Sequence, residues 1–352
     1  MPKYILKRLL ETPNKAPCFI VAEISGNHNG KLSNAIKLIK AAKKSGADAI
    51  KIQLYSPDYL TINSNKKDFL INSKNSWSSY KNMYNLYKKA QTPIAWYPKI
   101  FKECNKYNLI LFSSVFDLKT VDFLSKKKCP IYKIASPEIT DVPLIEKVGK
   151  LKKPVILSSG LASIKDLQLA IKTLRKNYCN KIILLKCTSA YPAPLEESNL
   201  ATMQDYKKRF ELITGFSDHT KGTSAALTAV ALGAKVVEKH IILNKKIKTV
   251  DSFFSSDPQE FEEMVLGIRE VEQAIGKISY KISKSSIKNL SGRKSIYAVK
   301  IIKKNEKFSK DNIRCVRPSF GLHPKYFNIL IGKKSNKNLG PGDRITPKML
   351  RK

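Results

Sequence analysis

Short apolar runs rich in β-branched residues alternate with longer segments of helical period through the first three quarters of the chain. The runs are Phe19 to Ile24, Ala49 to Leu54, Leu109 to Ser113, Ile131 to Ala135, Val155 to Ser158, Ile182 to Lys186, Leu212 to Phe216 and Val236 to His240. Each is almost continuously apolar, the pattern of a strand covered on both faces. Between them, Leu32 to Lys44 carries Leu32, Ile36 and Ile39 against outward lysines and stops at Ser45-Gly46, with glycine as terminator. Leu161 to Leu174 and Pro258 to Ile275 repeat that pattern. Eight such units in about 240 residues predict an α/β fold, a (β/α)8 barrel.

Two stretches break the rhythm. Ser56 to Ile100 is a long insertion with Trp77, Tyr80, Tyr84, Tyr87 and Trp96, on the barrel face where insertions cover a site. After Gly276 the chain becomes polar and lysine-rich over 277–290, and 291–352 shows short strands and turn signals. The predicted organisation is a barrel over 1–276, a linker over 277–290 and a small module over 291–352. A module of about sixty residues is marginal alone and is expected to dock on another surface.

Composition adds a charge to explain. Lys and Arg number 65 against 28 Asp and Glu, a formal charge of +37 in 352 residues. The lysines are scattered singly and in pairs along helices, with no arginine stripe or basic tail, so the expectation is a solvated surface without a nucleic-acid partner. A polyanion-binding protein remains the rival from another class. Six dispersed cysteines with no CxxC pair imply a reducing compartment. No run is long and apolar enough for a membrane span or signal peptide, so the chain is expected in the cytoplasm, off the membrane.

The chemistry concentrates where strands meet the loops that follow them. Two of four histidines, His219 and His240, stand 21 residues apart at the ends of two successive runs. One strand-helix-strand unit would set these imidazoles about 5 Å apart, able to share a metal. A helix-capping His219 and a core His240 are the bland alternative. Lys51 and Lys133 fall on interior positions without an acidic neighbour in sequence, among Ser114, Ser136, Ser158, Ser189 and Ser217. Buried lysines facing hydroxyls call for an anion, so the expected ligand is a small phosphorylated acid. Two imidazoles with room for oxygen ligands suit Mn²⁺, with Mg²⁺ or Co²⁺ possible, better than a structural zinc.

These residues carry a resemblance. AEISGNHNGKLSNAIKLIKAAKKSGADAIKIQLYSPD, GFSDHT, EKH and the C-terminal RPSFGLHP together resemble the sialic acid synthase family over almost the whole chain. The resemblance implies a TIM barrel followed by an antifreeze-like SAF domain, and condensation of phosphoenolpyruvate with an N-acetylated amino sugar to a nine-carbon 2-keto acid. NMYNLYKKAQTPIAWYPKIF, DSFFSSDP and Ser189 are similar to the pseudaminic acid branch, which implies a 2,4-diacetamido-2,4,6-trideoxy-L-altrose acceptor; N-acetylneuraminate or legionaminate chemistry is the alternative. By the same resemblance Lys51, Ser114, Lys133, Ser136, Ser158, Ser189 and Ser217 would hold phosphoenolpyruvate, and His219 and His240 the metal. Gln53, Tyr191 and Asp251 would face the sugar, Glu23 would be the acid/base, and Arg317 would reach the sugar from the other subunit of a domain-swapped homodimer. His28, in a loop with Asn27, Asn29 and Gly30, reads as positional.

Overall fold

The structure is a computed structural model and describes residues 2–349. Eight parallel strands close into a barrel in sequence order. They are β1 (Phe19–Glu23), β2 (Ala49–Gln53), β3 (Ile110–Ser114), β4 (Tyr132–Ile134), β5 (Val155–Ser158), β6 (Ile182–Cys187), β7 (Ile213–Asp218) and β8 (Val236–His240). All eight expected runs form these strands, with ends shifted by no more than two residues. The barrel closes through β1 against β8, with Phe19 opposite Val236 and Glu23 opposite His240. Both strand faces are buried, which is why the runs read as continuous rather than alternating.

The helices Leu32–Lys44 and Pro258–Ile275 match the pattern in the sequence. The third begins at Ile164 rather than Leu161, because Ser163 caps it through a reciprocal box with Asp166. Gly46 ends the first helix at φ +87°, and a Cβ there would lie 2.9 Å from Val265 Cγ1, so both backbone and packing demand glycine. The helix Pro2–Glu11 was not legible as an element, although Leu6 and Leu9 join the barrel core.

The chain divides into two compact units, Met1–Gly276 and Lys277–Lys352, so the polar stretch read as a linker counts with the second. That unit has an antiparallel pair, β9 (Ser295–Ala298) and β10 (Ile313–Val316), and its own core around Ile296, Phe308, Ile313, Leu322 and Ile345. No helix among the described residues is long and apolar enough to cross a membrane.

Candidate active site

Strand alternation sends Glu23, Lys51, Ser114, Lys133, Ser158, Ser217, Glu238 and His240 to the barrel interior. The register sets them side by side: Glu23 is opposite Lys51 and His240, Ser114 opposite Gln53 and Lys133, Ser217 opposite Glu238. One layer of polar side chains at the carboxyl ends of the strands results.

The two lysines have carboxylate partners in the fold that their sequence neighbours did not show. Glu238 lies between them, its Oε2 2.9 Å from Lys133 Nζ and its Oε1 3.1 Å from Lys51 Nζ. Lys51 also pairs with Glu23 Oε2 at 2.5 Å and donates to Ser114 Oγ at 3.2 Å. Ser217 donates to Glu238 Oε1 at 3.1 Å. Glu238 is 105 residues from Lys133 in sequence, so the partnership exists only in the barrel.

Sharing these ammonium groups splits the two acids. Burial opposes charge on Glu238, yet Lys133 and Lys51 together hold it below the ordinary carboxylate range. Glu23 is fully buried, has Lys51 alone and feels Glu238; desolvation dominates and pushes it up to about 7. Lys133 is pulled below its ordinary value by burial despite Glu238, whereas burial of Lys51 is outweighed by its two carboxylates and its value rises. A permanent anion beside an acid poised near neutrality is a proton-transfer arrangement.

Next to the lysines lies a hydroxyl cradle built on close approach. Ser136 Oγ accepts from the Gly160 amide at 3.0 Å. A Cβ on Gly160 would fall 2.2 Å from Ser189 Oγ, 2.9 Å from Ser136 Oγ and 3.1 Å from Cys187 Sγ. The bare glycine thus brings together two of the candidate serines. Ser158 Oγ is buried without a hydrogen-bond partner among the described residues, leaving a hydroxyl for a ligand.

The imidazoles of His219 and His240 lie 5.4 Å apart between centroids. His219 Nδ1 donates to the Thr188 carbonyl at 3.0 Å, which leaves Nε2 as the ring's lone-pair nitrogen. Burial opposes charge on His219, but Cys187, 3.8 Å from Nδ1, and the Thr188 carbonyl raise its value. His240, buried beside His219 and Lys51, is held well below the usual imidazole range and stays neutral. Its Nδ1 lies 3.2 Å from Ser25 Oγ and 3.9 Å from Asp251 Oδ2. Burial raises the Asp251 carboxyl, and Ser25 and the Gly26 amide temper the rise.

An aromatic wall stands on one side of the histidines. Tyr191 packs on His219 at 4.5 Å, Phe254 on His240 at 4.7 Å, and Tyr191 and Phe254 touch at 4.9 Å. Trp77 reaches over from the insertion, 5.3 Å from Tyr191 and 5.6 Å from Phe253, and is fixed by donating Nε1–H to the Val250 carbonyl at 2.7 Å. Gln53, half-buried at the end of β2, borders the layer. Arg317 is exposed on the second unit, just after β10. His28 is buried against Thr92 and Trp96, with burial lowering it to about 4, in keeping with a positional role.

With that geometry in place, comparison with known proteins decides the family. The model of the NeuB family matches residues 38–280, and that of the SAF domain matches 293–351. The chain belongs to the NeuB family. It is 44% identical over 327 residues to a pseudaminic acid synthase of Campylobacter jejuni, covering 93% of this chain and 95% of the relative. It is 38% identical to an N,N'-diacetyllegionaminic acid synthase of the same species, covering 91% and 96%. Among solved structures, the spore coat polysaccharide biosynthesis protein SpsE of Bacillus subtilis aligns with TM-score 0.64 at 33% identity over 96% of both chains. NeuB-family proteins are phosphoenolpyruvate-dependent nonulosonic acid synthases, and this chain is an enzyme of that family.

Enzymes of the NeuB family generally use a divalent metal. The donors fit one: His219 and His240 each leave Nε2 without a hydrogen bond among the described residues, and Asp251 stands behind His240. No three His, Cys, Asp or Glu side chains converge as a complete ligand set among the described residues, so other ligands would come from water or substrate.

Four residues of the site stand at strand ends in the sequence but carry no role that could be read from it. Glu238 was visible as two positions before His240, hence on the same face of β8, a signal for its place though not for its partners. Gly160, Ser25 and Cys187 offered none as strong. Ser25 holds φ +32° while its amide donates to Glu23 Oε1 at 2.6 Å and its hydroxyl meets His240, a strained backbone retained where it orients two candidates.

Proposed function

We propose that this enzyme condenses phosphoenolpyruvate with 2,4-diacetamido-2,4,6-trideoxy-L-altrose to a nine-carbon 2-keto acid with release of phosphate. The observation that carries this reading is the buried Lys51, Glu238, Lys133 and Glu23 cluster beside the paired imidazoles. The two ammonium groups and the hydroxyls of Ser114, Ser136, Ser158, Ser189 and Ser217 supply the donors for an anionic substrate. A divalent metal, Mn²⁺ by preference, held by His219 and His240 would supply Lewis-acid polarisation of the acceptor's aldehyde.

The residues' own work follows. The lysines and serines hold phosphoenolpyruvate so that its C3 faces the aldehyde carbon, where the C–C bond forms. Water adds at the resulting electron-poor C2, giving a proton to the Glu23 carboxylate. The tetrahedral centre then collapses to the 2-keto group as the C2–O bond to phosphate breaks, the C2 hydroxyl proton leaving with the phosphate and the proton held by Glu23 passing to the oxygen derived from the aldehyde. The wall of Trp77, Tyr191, Phe253 and Phe254 supports a deoxygenated, acetylated acceptor, as does the higher identity to pseudaminic than to legionaminic acid synthases. Gln53, Tyr191 and Asp251 would contact the sugar. Arg317, exposed on a small second unit, would serve the partner barrel of a domain-swapped homodimer. Six free cysteines and a phosphoenolpyruvate substrate support a cytoplasmic setting.

Mass spectrometry of the product after incubation with phosphoenolpyruvate, Mn²⁺ and each candidate sugar tests the reading. A new nine-carbon acid with the L-altrose acceptor is expected; preferential turnover of the legionaminate precursor would replace it with the second reading, which 38% identity keeps in play.

A further inference from the structure

On the outer face of the barrel, directly behind the two histidines, lies a second buried ion pair that the chemistry above does not use. Asp218 precedes His219 and Lys239 precedes His240, and the two are opposite each other in the register of β7 and β8. Lys239 Nζ is 2.6 Å from Asp218 Oδ2, with side-chain exposures of 2% and 0%. Both carboxylate oxygens and two of the three ammonium N–H groups are bonded. Asp218 Oδ1 accepts from the Thr220 amide and hydroxyl, each at 2.8 Å, and Lys239 Nζ also donates to the Thr220 carbonyl at 2.8 Å.

The position of this pair gives it a consequence. Asp218 and Lys239 are the last residues of β7 and β8 in register, so His219 lies just past the end of the ladder, where its carbonyl accepts from the Ala193 amide at 3.0 Å instead of pairing with β8. Side chains in a strand alternate, and a slip of one residue would turn an imidazole out of the barrel. A buried, hydrogen-bonded charge pair at that point ties both strand ends and the Thr220 turn together. A buried ion pair is weak evidence for stability, since apolar replacement of both partners is often neutral, and register is its best-attested use.

We propose that Asp218, Lys239 and Thr220 are positioning residues that set the separation of His219 and His240 for a shared divalent cation. The proposal rests on the metal reading of those histidines. The pair touches neither imidazole, and it acts by holding the strand ends in step.

The test is titration of Mn²⁺ into the full-length protein, followed by the loss of the free Mn²⁺ signal in electron paramagnetic resonance, alongside thermal unfolding in the absence of metal. The paired replacement Asp218→Asn with Lys239→Met removes both charges without stranding either; Thr220→Val removes one hydroxyl and keeps the fold safe. The expected result is a Kd for Mn²⁺ raised about 10- to 100-fold in the paired variant, the range for residues that orient metal ligands, and a smaller rise in Thr220→Val. Should the paired variant fail to fold, weakened Mn²⁺ binding by folded Thr220→Val alone supports the proposal. Unchanged Mn²⁺ affinity in folded variants, whatever their unfolding temperature, overturns it, as does unchanged affinity in Thr220→Val when the paired variant is unfolded. A wild-type chain that leaves the free Mn²⁺ signal intact would instead overturn the metal reading beneath it.

Discussion

At the residue scale the contrast between Glu23 and Glu238 yields a pH signature. Glu23 must lose its proton to accept one from water, and its value is raised to about 7, so kcat/KM for phosphoenolpyruvate should rise with pH through about 7. Glu23→Gln should lower kcat by at least about 100-fold and erase that limb; a limb that persists in the residual activity would assign it elsewhere. Stability should show the opposite trend. Between the ordinary value of 4.5 and about 7 the native carboxyl keeps a proton that the unfolded chain has released, so stability falls as pH rises through this window. The rise corresponds to about 3 kcal/mol. Thermal unfolding of the metal-free protein from pH 5 to 7.5 should therefore fall more steeply in wild type than in Glu23→Gln. Gly160 is a second such position: Gly160→Ala would drive a methyl group into Ser189 and Ser136, raising KM for phosphoenolpyruvate at least about tenfold, about 1.4 kcal/mol. Unaltered KM would show that the cradle is not where the substrate's anion sits.

At the element scale, the strands were legible because eight runs covered on both faces have no polar reason to interrupt them, so Lys51, Lys133 and the strand-end serines stood out as anomalies. Their partners did not. Glu238 is one of three polar residues on β8, and only barrel closure, with β8 returning beside β1, carries it between lysines on β2 and β4. The strain at Ser25 and the close approach at Gly160 are properties of backbone paths rather than of residue type, and no periodicity records them. The insertion was legible as a cover through its aromatic content, yet which ring joins the wall beside the histidines depends on the Trp77 contact with Val250, 173 residues away. The shared carboxylate changes what lysine replacement should do. Lys133→Met leaves Glu238 with Lys51 alone, so KM for phosphoenolpyruvate should rise far more than KM for the sugar. Adding Glu238→Gln should recover unfolding temperature without recovering that KM, because the stranded charge is relieved while the anion contact stays lost. Recovery of KM in the pair would place the anion elsewhere.

At the scale of the whole molecule, the two units differ in what they can do alone. The barrel has its own core and holds every candidate except Arg317, while the second unit has a core of its own but no cluster of acid, base and imidazole among its described residues. If the proposed dimer places Arg317 over a partner's barrel, a chain ending at Gly276 should fold and be inactive, since an acceptor without its arginine contact is not held for attack. Mixed dimers test the geometry directly. A subunit carrying Arg317→Ala has an intact barrel; a subunit carrying His219→Ala has a dead barrel and an intact arginine. Paired, they form one complete site, from the second subunit's arginine and the first subunit's barrel, and the heterodimer should show about half the wild-type activity per dimer, against near-zero for either homodimer. Verified heterodimers without recovery, or a truncated chain with full activity, would mean that the arginine works within its own subunit or not at all.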